Sequence, residues 1–144
     1  YDIPKYPLPK KMFGIFLTIP LKPEQPLFRG FDDVFRMPQS RHTEVRREDI
    51  ERVDDLEIIA ESEESGVSIV KSRSRREFFI TGHLEYAPDT LDTEYRRDLG
   101  KRDDVEVPKY YYREDNPDKG PLVTWRSHAN LLFMNWVSWV LDSE

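Results

Sequence analysis

The alternation of apolar runs with turn residues in the first half of the chain predicts a β-sheet. The runs are rich in β-branched and aromatic residues and are bounded by glycine, proline or polar turns. The predicted strands span residues 10–19, 34–37, 56–60, 67–71 and 77–80. Only the turn-like segments 63–66 and 72–75 separate the last three, so these strands predict an antiparallel meander.

Prolines set the expected limits of the first two strands. Pro4, Pro7 and Pro9 predict an extended loop before the first strand, because proline lacks the backbone N–H that a sheet ladder needs. Pro38 predicts the end of the second strand. The polar segment 39–45 is then expected just beyond that strand end.

Helical patterns appear in three places and predict helices at residues 47–53, 91–99 and 129–140. In the last helix the apolar side chains recur at helical spacing, and we interpret them as core: Ala129, Leu132, Phe133, Trp136, Val137 and Val140. Thr124 and Ser127 offer capping groups at its start, and Asp89 does so before the second helix. Between these two helices lies a long polar loop, residues 101–119, of a length that is commonly functional or mobile.

The strand at residues 78–80 leads into the segment with the clearest chemical potential. Its apolar residues predict burial on both faces, and Gly82 permits a sharp turn or the close approach of a ligand. His83 and Glu85 follow. An imidazole exchanges protons near neutral pH, and a carboxylate on its second nitrogen fixes the tautomer and stabilises the imidazolium. The pair predicts a catalytic base with its partner; the alternative is a strand-end histidine beside a solvated glutamate.

Composition narrows the class of protein. The 144 residues fit a single domain that can bury a core. The net charge is −6, with 22 basic and 28 acidic residues interleaved, which argues against a nucleic-acid-binding surface. The absence of cysteine excludes disulfides, cysteine-ligated zinc and a thiol nucleophile within these residues. The sequence shows no membrane span or signal pattern and no metal site, so we expect a soluble cytoplasmic protein with no membrane partner.

Five segments together resemble the MetA-type homoserine O-acyltransferases. They cover essentially the whole chain in the family's order, and their combination is specific although each alone is weak. The segments are residues 7–14 (PLPKKMFG), 29–33 (RGFDD), 40–45 (SRHTEV), 81–86 (TGHLEY) and 123–133 (VTWRSHANLLF).

The resemblance implies a fold, a reaction and a set of site residues. The implied fold is α/β and class I glutamine-amidotransferase-like, a flavodoxin-like sheet with flanking helices. The implied mechanism uses a Cys–His–Glu triad: an acyl-CoA acylates the cysteine, and the homoserine hydroxyl then attacks. His83 and Glu85 match the family's base and its carboxylate partner, and Lys11, Ser40 and Arg97 match its substrate-binding positions. No bound cofactor is implied; acyl-CoA and L-homoserine are the expected substrates, in the first committed step of methionine biosynthesis.

The family's nucleophilic cysteine has no counterpart among these residues. We therefore expect residues 1–144 to be the carboxyl-terminal part of a single acyltransferase domain. The amino-terminal half of the same enzyme would carry the cysteine and the determinant of succinyl or acetyl donor. We then expect the segment alone to be inactive and to have an open sheet edge. We expect the complete enzyme to be a homodimer.

Two alternatives stay open. The chain could be a non-catalytic fragment or an assembly half that needs a separate amino-terminal chain. It could also be a class I amidotransferase acting on glutamine, which shares Gly82, His83 and Glu85 but has no need of the segment 40–44.

Overall fold

A computed structural model describes residues 1–142, which form one curled antiparallel sheet with flanking helices. The spatial order of the strands is β2-β1-β3-β4-β5, and all neighbours pair antiparallel. The strands are β1 (Tyr6–Pro20), β2 (Phe35–Glu44), β3 (Leu56–Ser62), β4 (Gly66–Ser72) and β5 (Phe78–Ile80). The helices are α1 (Arg47–Glu51), α2 (Thr90–Leu99) and α3 (Arg126–Leu141), with 3₁₀ turns at Pro26–Phe28, Arg113–Asp115 and Pro117–Lys119. The predicted meander is confirmed as β3, β4 and β5.

The prolines interrupt neither of the first two strands, so both predicted limits were wrong. Pro7 pairs with Thr43 near the start of β1, and Pro38 pairs with Ile15 inside β2. The carbonyl of Pro38 accepts a hydrogen bond from the N–H of His83 at 2.8 Å, so this residue directs its backbone groups away from β1. Because the missing N–H of Pro38 would point the same way, the ladder to β1 loses nothing. The polar segment 39–45 therefore lies largely within a strand.

Strand β5 is an edge strand, and the prediction that it is covered on both faces was wrong. It pairs only with β4. Phe78 and Ile80 are half-buried, while Phe79 is 43% exposed on the opposite face. Three apolar residues in succession did not reveal this asymmetry, because aromatic residues also occur on the outer face of short edge strands.

Helix α3 buries only part of the face that was predicted as core. Ala129 and Leu132 are buried, but Phe133, Trp136 and Val137 are 40–48% exposed. The helix is apolar on several faces, so periodicity alone could not select the packed one. The side-chain amide of the buried Asn135 selects it by donating to two backbone carbonyls next to the first 3₁₀ turn, those of Leu27 at 3.0 Å and Arg29 at 2.8 Å.

The segment between α2 and α3 is packed into the core through two tyrosines. Tyr111 and Tyr112 are almost completely buried, 0% and 3% exposed. The Tyr111 hydroxyl accepts from the N–H of Asp92 at 3.2 Å and donates to the carbonyl of Pro88, so it satisfies backbone groups at the start of α2. Asp89, the predicted cap, makes no side-chain capping bond. Burial raises the pKa of Tyr111 to about 12, which keeps the phenol protonated as a donor.

The start of α3 also lacks the predicted caps. Its N-cap is Trp125, which makes no side-chain capping bond, and the buried hydroxyl of Thr124 has no partner among the described residues. No helix within residues 1–142 combines the length and apolar character needed to cross a membrane.

We expect Tyr111→Phe to lower the free energy of unfolding by about 1–3 kcal/mol, because it removes the hydroxyl that satisfies Pro88 and Asp92 in a partly buried environment. Tyr110→Phe is the matched control: its ring is 47% exposed and its hydroxyl bonds the surface residue Glu64. That variant should lose less than about 0.5 kcal/mol. Urea unfolding of the full-length protein measures both, and equal losses would contradict the capping role.

Candidate active site

Gly82 follows β5 in the chain and packs against β2, the strand at the opposite edge of the curled sheet. A methyl group on its Cα would come within 2.5 Å of the Cγ and Sδ atoms of Met37 and 2.6 Å of the carbonyl oxygen of Pro38. Thr81, just before it, is hydrogen-bonded to β4, and His83, just after it, is bonded to Pro38. Because residue 82 is a glycine, the chain can pass from the β5 edge of the curled sheet to the β2 edge in van der Waals contact with Met37 and Pro38.

His83 and Glu85 meet directly beyond this crossing. The Nδ1 atom of His83 lies 2.9 Å from Glu85 Oε1. The two side chains are 38% and 60% exposed, so both are accessible to a ligand. Because Nδ1 faces the carboxylate, Nε2 is left to exchange a proton with a reacting group. The structure brings the two predicted residues together, and their catalytic role stays a prediction.

The three predicted substrate-binding residues converge on one carboxylate, that of Glu94 on α2. The Nζ atom of Lys11 lies 2.5 Å from Glu94 Oε1, and the hydroxyl of Ser40 donates to the same oxygen at 2.7 Å. The guanidinium of Arg97 approaches it to 3.9 Å. Since both hydrogen bonds fall on Oε1, Oε2 can still accept from a ligand.

Three elements build this cluster. Lys11 comes from β1 and Ser40 from β2, which pair across a register shift that lies between Pro7 and Met12. Helix α2 contributes Glu94, Arg97 and Asp98, whose i, i+3, i+4 spacing puts them on one face.

Asp98 gives the cluster a second anionic group. Lys11 Nζ lies 3.6 Å from its carboxylate, and Arg97 Nε donates to it at 3.0 Å. The hydrogen bond from Arg97, followed by the nearby positive charges, holds the pKa of Asp98 below its usual range. The side chains of Lys11, Glu94 and Asp98 are 16–19% exposed, whereas that of Arg97 is 56% exposed. Arg97 is therefore the cation of the cluster that an incoming ligand reaches most easily.

Tyr86 connects the two groups of residues. Its ring lies parallel to the imidazole of His83, with centroids 4.4 Å apart and an interplanar angle of 2°. Burial, and then the carboxylates of Glu94 and Glu85, raise the pKa of Tyr86. The phenol thus lies within electrostatic range of both carboxylates, and it bears a proton at neutral pH.

A cleft of about 470 Å³ extends from Lys11 along the ends of β1 and α2, where Lys10, His42, Arg102, Asp98 and Glu106 line it. A larger cavity of about 520 Å³ has a mainly apolar lining that includes Ile50, Val70 and Phe79, but neither His83 nor Glu85. Residues 1–142 hold no group of three or more histidine or acidic side chains placed to bind a metal ion. Of the two cavities, the 470 Å³ cleft reaches the cluster around Glu94, through Lys11 and Asp98, and it too is lined by neither His83 nor Glu85.

Sequence reasoning missed Glu94, Asp98 and the stacking role of Tyr86. The helical spacing of Glu94, Arg97 and Asp98 was a usable signal, because it places a carboxylate on each side of a predicted ligand-binding arginine. The contact with Lys11 was not accessible, since it depends on how α2 packs against β1.

Comparison with known proteins supports one family. The family model described as homoserine O-succinyltransferase matches residues 1–144. A homoserine O-acetyltransferase of Bacteroides thetaiotaomicron is 59% identical over all 144 residues, and one of Bacteroides fragilis is 60% identical. The alignment covers 100% of this chain and 47% of each relative, so the chain spans about half the length of the curated relatives it matches.

The fold resembles that of solved glutamine amidotransferases. A glutamine amidotransferase from Thermotoga maritima matches with a TM-score of 0.59 at 14% identity, over 98% of this chain and 56% of that one. The predicted fold class, glutamine-amidotransferase-like α/β, is confirmed. At this level of identity the likeness concerns the fold alone.

We expect Gly82→Ala to lower the free energy of unfolding by about 1–3 kcal/mol, because the added methyl group overlaps Met37 and the Pro38 backbone. Gly100→Ala is the control: Gly100 has φ −69° and a methyl group there would meet nothing closer than 3.5 Å. That change should stay within about 0.5 kcal/mol of wild type. Thermal and urea unfolding of the full-length protein compare the two, and a neutral Gly82→Ala would contradict the close approach at this position.

Proposed function

The chain belongs to the homoserine O-succinyltransferase family, and from that premise we propose that it carries the acid–base and substrate-binding groups of a homoserine O-acyltransferase. The observation that best supports this is the arrangement of all five predicted site residues in two adjoining groups. His83 pairs with Glu85, while Lys11, Ser40 and Arg97 surround Glu94. The residues 1–144 would form the carboxyl-terminal part of one acyltransferase domain.

In this proposal the reaction has two steps. His83 Nε2 takes the proton of a cysteine thiol supplied by the part of the enzyme beyond these residues, the resulting thiolate attacks the acyl-CoA carbonyl, and CoA leaves as a thiolate that takes this proton from His83. The hydroxyl of homoserine then attacks the acyl-cysteine, its proton passes to His83 Nε2, and the cysteine leaves as a thiolate. Glu85 stabilises the imidazolium formed in each cycle through its contact with Nδ1. The products are O-acyl-homoserine and CoA.

The cluster around Glu94 is complementary to the two charges of an amino acid. Homoserine carries an ammonium and a carboxylate. The exposed guanidinium of Arg97 can hold the carboxylate through two parallel hydrogen bonds. The free oxygen of Glu94 can accept from the ammonium, while Lys11 and Ser40 hold the other oxygen in place. This arrangement would discriminate amino-acid acceptors from simple alcohols.

The donor, the partners and the location follow from the same proposal. The curated relatives are named homoserine O-acetyltransferases, which favours acetyl-CoA as the donor, whereas the family description names succinyl transfer, so both donors belong in the assay.

The partner of this segment would be the amino-terminal half of the enzyme. The complete enzyme would be a homodimer in the cytoplasm, where acyl-CoA is used. No cofactor is needed beyond the acyl-CoA co-substrate. Hydrolysis of glutamine without transfer to homoserine would instead support the amidotransferase alternative.

We expect His83→Ala in the full-length enzyme to lower turnover by about 100-fold or more, because the base serves both steps. Glu85→Gln keeps the shape and removes the charge, so its loss should be smaller. Glu63→Gln, a change at an exposed glutamate in the turn between β3 and β4, is the control for Glu85→Gln and should stay near wild type. Steady-state acylation of homoserine measures all three, and a His83→Ala enzyme with more than a tenth of wild-type turnover would exclude the role.

We expect Arg97→Lys to weaken the use of homoserine roughly tenfold or more, since an ammonium cannot reproduce the guanidinium fork. Formation of the acyl-enzyme from acyl-CoA alone should be nearly unchanged. Arg96→Lys is the matched control, because Arg96 lies on the adjacent face of α2, bonded to Asp92 and Pro117. If Arg97→Lys slowed both half-reactions equally, Arg97 would instead bind acyl-CoA or stabilise the fold.

A further inference from the structure

We propose that Tyr86 is a positioning residue that holds the imidazole of His83 in its reactive orientation and stabilises its protonated form. The inference rests on the proposed function, in which His83 is the base. It concerns the ring of Tyr86 and assigns no contact with substrate to its hydroxyl.

The contact between His83 and Glu85 is too exposed to fix the imidazole alone. The glutamate side chain is 60% exposed and that of the histidine 38%, so water competes for the bond. Exposed pairs of this kind restrain their members weakly. A second restraint is therefore needed if Nε2 is to stay directed at the reacting atoms.

Tyr86 supplies that restraint from the face of the imidazole. The two rings are parallel, with centroids 4.4 Å apart. Stacking limits rotation of the imidazole out of this plane, while Glu85 limits rotation within it. The π face of the phenol also attracts a positive charge, which favours the imidazolium over the neutral ring.

Tyr86 is itself anchored to the core, through its backbone and through its ring. Its carbonyl accepts from the indole N–H of Trp125 at 3.1 Å, and Trp125 is 1% exposed at the start of α3. Its N–H donates to the carbonyl of His83 at 3.2 Å, which closes a turn over residues 83–86. The side chain packs against the core cluster that contains Tyr95 and Trp125. The rigid core thus extends through Tyr86 to the exposed base.

Two carboxylates act on the stacked pair, and one of them, that of Glu94, is itself paired with Lys11 and Arg97. Glu85 contacts the imidazole directly, and Glu94 and Glu85 both act on the Tyr86 phenol. The hydroxyl of Tyr86 makes no hydrogen bond to any residue in the described part of the chain. Its removal should therefore leave the stack intact, which gives a matched control.

The test compares Tyr86→Leu with Tyr86→Phe in the full-length enzyme. Tyr86→Leu removes the flat ring, and we expect a roughly tenfold lower kcat with a smaller change in KM for homoserine. The acidic limb of the kcat/KM profile should move to lower pH, because the imidazolium loses the aromatic face. Tyr86→Phe should stay within about threefold of wild type, with an unchanged pH profile.

Two results would overturn the proposal. One is a Tyr86→Leu enzyme with wild-type kcat and pH profile. The other is a Tyr86→Phe enzyme as impaired as Tyr86→Leu, which would assign the effect to the hydroxyl. If Tyr86→Leu fails to fold, Tyr86→Met replaces it with the same two criteria.

The NMR resonances of the His83 ring protons separate this proposal from the proposed function. The Tyr86 ring, parallel to the imidazole at 4.4 Å, should shift these resonances upfield, and the shift should be lost in Tyr86→Leu and kept in Tyr86→Phe, whatever reaction the enzyme catalyses. If the wild-type protein acylates no homoserine while the resonances behave in this way, the proposed function fails and the positioning role stands. If the enzyme is active and the resonances are the same in all three proteins, the positioning role is wrong.

Discussion

The close approach at Gly82 is the constraint on which the site depends. The sheet is curled, so its edge strand β2 and the residues that leave β5 meet, and the meeting point has no room for a side chain. Because His83 donates its N–H to the carbonyl of Pro38 at this point, the position of His83 is tied to β2 rather than to β5, the strand that precedes it. Ser40 lies two residues after Pro38 on β2, so one strand fixes both His83 and part of the cluster around Glu94.

The cluster around Glu94 depends on a balance of buried charge. Lys11, Glu94 and Asp98 are each less than a fifth exposed, and an unpaired charge at such a position would be costly. Their mutual contacts satisfy that requirement without ligand. Arg97, which is half exposed, keeps capacity for a further anion, because its guanidinium has donors beyond those that contact Asp98. The cluster therefore balances its own buried charges and keeps donors of Arg97 that do not contact Asp98.

The parts of the fold that sequence predicts well are those governed by local pattern. The meander was predictable because its apolar runs alternate with polar turns, most of whose residues lie outside the strands. Three features were not predictable, because each depends on a partner that is distant in sequence. Pro38 is accommodated inside β2 by its contact with His83, and the packed face of α3 is selected by the bond from Asn135 to Leu27. The burial of Tyr111 depends on its bond to Pro88. At the site, motif resemblance gave the five residues, yet the carboxylate that three of them share came only from the packing of α2 on β1.

The contrast in burial between the two groups of site residues has a physical rationale. A substrate-binding cluster gains from low exposure, because charge–charge interactions strengthen as water is excluded. A base that must reach two different reacting groups in one cycle gains from accessibility, but an accessible side chain is held less firmly in one orientation. His83, the proposed base, has a side chain that is 38% exposed and is bonded to an exposed carboxylate, so under the proposal its orientation comes from a contact that water does not weaken. Stacking on a ring anchored to the core meets that need, because its strength depends on shape and apolar contact rather than on a hydrogen bond open to solvent.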